Sequence, residues 1–369
     1  MSTMKNTMHR RDSLKLGAAS VTALAATGSP RTHAAPSAKI PLGLDAHSVR
    51  GMRWKAPRLL DYAAEQNADA LLLNGPHYFE RLDDAYLTNL RQAADAKNIR
   101  LYTGAGSICE NGTGYSNKNG TPEETLALGI RVASILGSPV TTCRIGSIKD
   151  RYTDGGIEAR MEEAINVLKA LRSQARDANV KFAFENHAAD LRTEEVLTII
   201  QEVGPDVCGS MLDPGNALWA MEDPMRQIQT LGSRVLCTSV RDYTVWESEN
   251  GATFQWTAIG DGLMDAPAFA KQLAANSPGV PLFVESISNS ARPLPFLTQE
   301  HMAGYPNLRA SGMVDFLKLL RRGKPIELER PPAGMDQKTF DQQHQKAELE
   351  KSFAYLRQHC DVGVKPTRA

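Results

Sequence analysis

From residue 40 onward the chain repeats one pattern about eight times: a short apolar run, then a longer stretch whose apolar residues recur at three- and four-residue steps. The short runs are "IPLGLDA", "ADALLLNG", "IRLYTGAG", "PVTTCRIG", "VKFAFENH", "VCGSMLD", "VLCTSVRD" and "PLFVESIS". Between them lie segments such as "APRLLDYAAEQ", "EETLALGIRVASIL" and "TEEVLTIIQEVG", with the periodicity of amphipathic helices. Alternating strands and helices predict a parallel sheet covered by helices, either open and doubly wound or closed into a barrel. Eight units favour closure, and a barrel of this kind takes roughly 250 residues. The glycines after the first strand, Gly43 and Gly51, lack the spacing of a dinucleotide-binding turn. The expectation is therefore an α/β protein built on a (β/α)8 barrel over residues 40–323.

Two interruptions fall where such a barrel carries its function. After the seventh strand, "YTVWESENGATFQWTAIGDG" predicts a hairpin insertion with Asn250 and Gly251 in the turn. After the last strand, "SNSARPLPFLTQEHMAGYPNLRAS" reads as a long polar, proline-containing connection. Residues 324–369 read as a linker followed by a charged helix carrying Leu349, Phe353 and Leu356 on one stripe, suited to packing on the barrel flank or on a sister subunit in a homo-oligomer.

The first 35 residues have a basic segment, a mildly apolar stretch and small residues at Ala34 and Ala35, the organisation of an export signal. Arg10 and Arg11, followed by Leu14 and Lys15, resemble a twin-arginine signal, although Ser13 stands where an aromatic is commoner. The expected location is periplasmic or otherwise exported, reached through the export machinery. Acidic and basic side chains balance in the whole chain, and removal of this segment leaves a slight acidic excess. That gives no broad electrostatic footprint for nucleic acid, and no later apolar run is long enough to span a bilayer. None of the five cysteines forms a CxxC pair, and Cys143, Cys208 and Cys237 lie in strand-like runs, so buried thiols are expected.

In a parallel barrel, the residue ending each strand points into the C-terminal mouth, so side chains distant in sequence converge there. Strand five ends in Glu185, strand six in Asp213, strand seven in "TSVRDY" and strand eight in Glu285. Buried carboxylates so placed repel one another, and persist only when protonated, paired with an arginine such as Arg144 or Arg241, or bound to a cation. A divalent metal would resolve three at once, and an oxygen-rich site suits manganese or magnesium.

These strand ends, "FENH", "LDPGN", "SVRDY" and "VESI" on an eight-unit βα pattern, resemble the xylose-isomerase-like TIM barrel family of sugar isomerases and epimerases. The resemblance implies one divalent metal, Mn2+ first and Mg2+ or Zn2+ otherwise, held by Glu185, Asp213, Glu285 and a histidine on strand seven. Here that position is Ser239, a poor ligand beside imidazole, so the metal must gain a ligand from elsewhere, bind more weakly, or be absent. Gln255 in the hairpin is the leading substitute, with His187 a second candidate better suited to contacting substrate.

The resemblance also implies the chemistry: Glu185 and Glu285 move a proton beside a carbonyl, and a metal stabilises the enediolate. Isomerisation or epimerisation of a free sugar or keto-sugar is expected, with β-elimination from a keto-glycoside or decarboxylation of a keto acid as alternatives on the same site. A non-catalytic sugar-binding barrel is the reading of another class, suggested by Ser239. For the carbohydrate itself, the expected contacts are His47, Asn74, Arg144, His187, Asn216, Arg241, Trp246 and Trp256, with Asp45 and His77 as further polar mouth residues; Arg241 could instead pair with Asp242. The DNA-repair branch of the fold needs a histidine-rich cluster for several zinc ions, which this sequence lacks.

Overall fold

The computed structural model describes residues 39–365, with Ser288 excepted. The expected export signal lies outside the described residues. Eight parallel strands form one sheet: β1 (Leu42–Asp45), β2 (Ala70–Leu73), β3 (Arg100–Ser107), β4 (Val140–Arg144), β5 (Lys181–Glu185), β6 (Cys208–Leu212), β7 (Val235–Thr238) and, last in sequence, β10 (Leu282–Val284). Their order is β10-β1-β2-β3-β4-β5-β6-β7, which wraps the sheet into a nearly closed TIM barrel. The seam between β7 and β10 is short. Val240 bridges Val284, its N–H donating to the Phe283 carbonyl at 2.7 Å. Below it the Thr238 hydroxyl stands in for a ladder bond, donating to the Pro281 carbonyl and accepting from the Phe283 N–H, each at 2.9 Å.

The helices begin where their sequences say they should. Thr121 caps Pro122–Leu136: its hydroxyl accepts the Glu124 N–H at 3.2 Å, the Glu124 carboxylate accepts the Thr121 N–H at 2.8 Å, and proline opens the helix. The apolar faces of such helices pack on the outside of the sheet in one continuous core.

Inside the barrel a second, separate cluster holds Ala70, Leu72, Tyr102, Val140, Ala183, Met211, Cys237 and Phe283. Gly43 fills the β1 position of this layer because Phe283 leaves no room: a Cβ there would lie 2.2 Å from the ring. Side chains two residues apart share a strand face. Two steps beyond this interior layer therefore come Asp45, Glu185, Asp213, Ser239 and Glu285, one storey higher at the mouth.

The hairpin forms β8 (Asp242–Ser248) and β9 (Gly251–Thr257), with Ser248 paired to Gly251. The turn is Glu249–Asn250, one residue earlier than expected, and Gly251 opens β9. The polar, proline-containing connection after the last barrel strand supplies a third strand, β11 (Arg292–Leu294), antiparallel to β9. Pro293 sits on this short strand at the ribbon's edge, where its missing N–H costs no internal ladder bond.

The C-terminal helix Gln337–His359 packs on the barrel rather than standing away from it. Leu349, Phe353 and Leu356 are buried, Gln345 and Gln342 clamp the backbone of Gly51, and the Ser352 hydroxyl accepts the Ile259 N–H at 3.0 Å. All five cysteines are free and buried, and no helix among the described residues is long and apolar enough to cross a membrane.

Candidate active site

Four carboxyl groups meet at the C-terminal rim: Asp45, Glu185, Asp213 and Glu285, each buried apart from a partly accessible Glu285. The cation among them is Arg241. One terminal nitrogen of its guanidinium donates to Asp213 Oδ2 and the other to Glu285 Oε2, so a single planar fork holds the ends of two strands together. Ser239, one step inward on the same face, donates to Glu285 Oε2 at 2.9 Å and lies 3.4 Å from Asp45 Oδ2. Glu185 faces Arg144 across 3.8 Å.

Each arm of this arrangement is braced. Asp213 accepts the backbone N–H of Asn216 at 2.9 Å and its side-chain amide at 2.8 Å. Asn186, at the end of β5, clamps the Asp213 backbone by accepting its N–H at 3.0 Å and donating to its carbonyl at 2.9 Å. Next to it, His187 is held by Asp190, which accepts its N–H at 2.7 Å, and its Nδ1 meets the Gly146 carbonyl. Trp256 donates its indole N–H to the Gly215 carbonyl at 3.0 Å and lays its ring 4.1 Å from the Arg241 guanidinium.

The electrostatics follow from burial and from Arg241 at the centre of the site. Burial works to raise the Glu285 carboxyl, but Arg241, His47 and the Ser239 hydroxyl outweigh it and hold Glu285 down at about 2. For Asp45, burial and the nearby Glu285 charge combine to push the carboxyl well up. Burial lowers the His47 imidazole to about 4, with Glu285 opposing, and lowers His187 as well, so both rings are neutral at pH 7 and can trade hydrogen bonds with hydroxyls.

The expected metal set is not assembled. Among the described residues no three of His, Cys, Asp and Glu come together as a group able to hold an ion. Two of the carboxylate oxygens at the rim are already engaged by donors of the chain itself. Asp213 Oδ2 accepts from both Arg241 and Asn216, and Glu285 Oε2 from both Arg241 and Ser239, which uses the two lone pairs of each oxygen. The proposed fourth ligand, Gln255, sits on the wrong side of its strand. Phe254 and Trp256 share a face in mutual contact, so Gln255 points the other way, its amide oxygen buried without a partner among the described residues.

Of the expected substrate contacts, His47, Arg144, His187, Asn216, Arg241 and Trp256 are at the mouth, with Asn216 already committed to Asp213. Asn74, two residues beyond the interior Leu72, also stands at the mouth end of its strand, where it accepts a bond from the Thr142 hydroxyl. Trp246 lies farther along the ribbon opposite Thr253, partly exposed, and does not join the Trp219, Phe254 and Trp256 cluster. Arg241 does not pair with Asp242, which turns away to accept N–H groups from Tyr243, Gly260, Gly262 and Met264. The sequence reading missed three residues. Asn186 was visible beside Glu185 but had no assigned partner. Arg50 reaches the Ser286 carbonyl at 3.1 Å from the loop after β1, and Arg292, on the unforeseen β11, lies 4.6 Å from the Trp256 ring.

Comparison with known proteins adds three findings. A family model described as xylose isomerase-like TIM barrel matches residues 60–308. A protein of Pectobacterium atrosepticum named 3-oxo-isoapionate decarboxylase is 24% identical over 229 residues, 62% of this chain and 76% of that one. Among solved structures, a D-psicose 3-epimerase in the presence of D-fructose superposes with a TM-score of 0.58 at 14% identity, over 87% of this chain and 100% of its own. The IOLI protein, solved with a binding zinc atom, gives 0.52 at 15% identity over 78% and 100%. At these identities the structural likenesses concern the fold.

Proposed function

The chain belongs to the xylose isomerase-like TIM barrel family, and on that premise we propose that it is an enzyme of the sugar isomerase/epimerase type, moving a proton beside the carbonyl of a free sugar or keto-sugar. The observation that carries this reading is the meeting of Glu185 and Glu285 with a fixed cation at the C-terminal rim, where barrels of this architecture place their chemistry. Glu185, which faces Arg144 across 3.8 Å, takes the proton and returns it, while Glu285, the second expected acid/base group, stays ionised against Arg241 and orients that cation. Neutral His47 and His187 receive the sugar's hydroxyls, while Trp256, buried against Arg241, backs the cation. The leader at residues 1–35 directs this activity out of the cytoplasm, where free and oxidised sugars, rather than sugar phosphates, are the available substrates.

A second reading is favoured by the relative named as a decarboxylase. Loss of carbon dioxide from a β-keto acid leaves its electron pair on the same kind of oxyanion as proton abstraction does, so one cationic site can serve both. Incubation with free sugars, 3-keto sugars and sugar acids in heavy water, followed by proton NMR, separates these readings. Deuterium appearing beside the carbonyl supports isomerase/epimerase chemistry, release of carbon dioxide supports the second, and saturable sugar binding with neither leaves a binding protein and ends the enzymatic reading.

A further inference from the structure

We propose that Arg241 is the built-in cation of this site, that the substrate's oxyanion forms against its free N–H groups, and that the reaction runs without a divalent metal. The proposal rests on the proton-abstraction reading given above. Its ground is the way the chain has made room for this side chain. A Cβ at Gly215 would lie 2.5 Å from both Cγ and Nε of Arg241, so the glycine of "DPGN" is the floor on which the arginine stem rests. The Trp256 ring covers the guanidinium, and the indole N–H bond to the Gly215 carbonyl fixes ring and floor together. Asp213 and Glu285 then orient the fork from two strands. Ser239 is the fourth element of the same construction. With a hydroxyl in place of an imidazole, it donates to Glu285 Oε2, the same oxygen that Arg241 holds.

Arginine has five N–H donors, and the two carboxylates engage one on each terminal nitrogen. The Nε–H lies against Gly215, buried without a partner among the described residues, so the donors left for a developing oxyanion are the second N–H of each terminal nitrogen. When Glu185 takes the hydrogen beside the carbonyl as a proton, the C–H pair becomes the carbon–carbon double bond of an enediolate, and the carbonyl π pair moves onto oxygen, where Arg241 meets it. Reprotonation on the same or a neighbouring carbon reverses these shifts. No electrons are gained or lost and no co-reactant is needed. A preorganised cation in a water-poor site is the kind of group that stabilises such charge most strongly.

The test uses the whole mature protein and reads metal binding separately from turnover. Elemental analysis of the purified protein and calorimetric titration with Mn2+ and Zn2+ should find no stoichiometric ion, and deuterium exchange should persist after exhaustive dialysis against EDTA. Arg241→Ala should lower exchange by on the order of 10²–10³-fold, the effect of deleting one oxyanion donor, while gaining Mn2+ or Zn2+ binding because Asp213 and Glu285 are released. Adding Ser239→His should tighten that binding further. Stoichiometric metal in the unaltered protein, with exchange abolished by EDTA and restored by Mn2+, would overturn the proposal. Those measurements need no variant, so misfolding of Arg241→Ala would not shelter it. Absence of exchange with every sugar would instead remove the proton-abstraction reading, and with it the oxyanion role of Arg241. The titration would still decide whether Arg241 holds the place of the ion.

Discussion

Gly215 and Arg241 occupy complementary space: the missing side chain of one is filled by the stem of the other, with Cγ and Nε both 2.5 Å from where a Cβ would stand. Gly215 lies in the short helix Pro214–Ala217, outside the positive-φ region, so alanine is conformationally acceptable there and its effect is purely steric. Gly215→Ala should cost about 1–3 kcal/mol, the usual range for overpacking, and should cut turnover far more than its stability loss implies, because it displaces the guanidinium. Comparing the melting curve with the exchange rate checks this: turnover falling only in proportion to the folded fraction would show that Arg241 is not being moved.

Gly43 has the same role deeper in the barrel. Its absent Cβ gives way to the Phe283 ring, which fills the interior two residues before Glu285. Gly43→Ala should destabilise by about 1–3 kcal/mol, and pairing it with Phe283→Leu should recover some of the loss by freeing volume. Chemical denaturation of the single and double variants tests the coupling, and strictly additive losses would argue against a shared space.

Much of this architecture is readable from residue order, because period-two apolar runs and three-to-four spacing are local signals. The acids of the rim are readable for the same reason: Ala183 and Glu185, Met211 and Asp213, Phe283 and Glu285 are interior residue and mouth residue two steps apart. Parity also contained the correction for Gln255. It and Trp256 are adjacent on β9, so both could not face the mouth, and the indole hydrogen bond to Gly215 decides which does. The partners of Arg241 were another matter. Whether it would choose Asp242, a substrate or two distant carboxylates depends on Asp242 being consumed by four backbone N–H groups at the base of the hairpin, a non-local event. The strand β11 was hidden by Pro293, which lowers the β signal of a segment that pairs only along an edge.

Asn186 is bonded to the Asp213 backbone in both directions and is buried. Asn186→Ala leaves a buried N–H and a buried carbonyl without partners, at about 1–3 kcal/mol, and should loosen Asp213 and hence one anchor of Arg241. Asn186→Asp keeps the shape but loses the donor, setting a carboxylate oxygen against the Asp213 carbonyl, and should be at least as damaging. An aspartate variant as stable and active as the parent would remove the clamp from the account.

Trp256 contacts two guanidinium groups, Arg241 at 4.1 Å and Arg292 at 4.6 Å. Trp256→Phe retains an aromatic face but loses the bond to Gly215, whereas Trp256→Leu loses both. Cation–π contacts are worth about 0.5–2 kcal/mol each, so stability should fall in the order parent, phenylalanine, leucine, with turnover following the same order. Equal effects of the two variants would assign the whole role to the indole N–H.

Glu285 contributes to the acid sensitivity of the fold, against Asp45 and Asp213, which burial raises. Its carboxyl falls from an ordinary 4.5 to about 2 in the folded chain, where Arg241, His47 and Ser239 outweigh the burial that would raise it. A group depressed on folding binds its proton more weakly in the folded state, so it stabilises fully above about 4.5 and loses that contribution as pH falls toward 2. The shift corresponds to roughly 3 kcal/mol. Asp45, raised by burial, works with the opposite sign, its folded form holding a proton that the unfolded chain has already released. The contribution of Glu285 is therefore best seen as a difference: unfolding free energy measured from about pH 6 to about pH 2.5 should drop more steeply in the parent than in Glu285→Gln, with the two curves approaching each other at the acid end. Parallel curves across that range would mean that Glu285 is not ionised against Arg241.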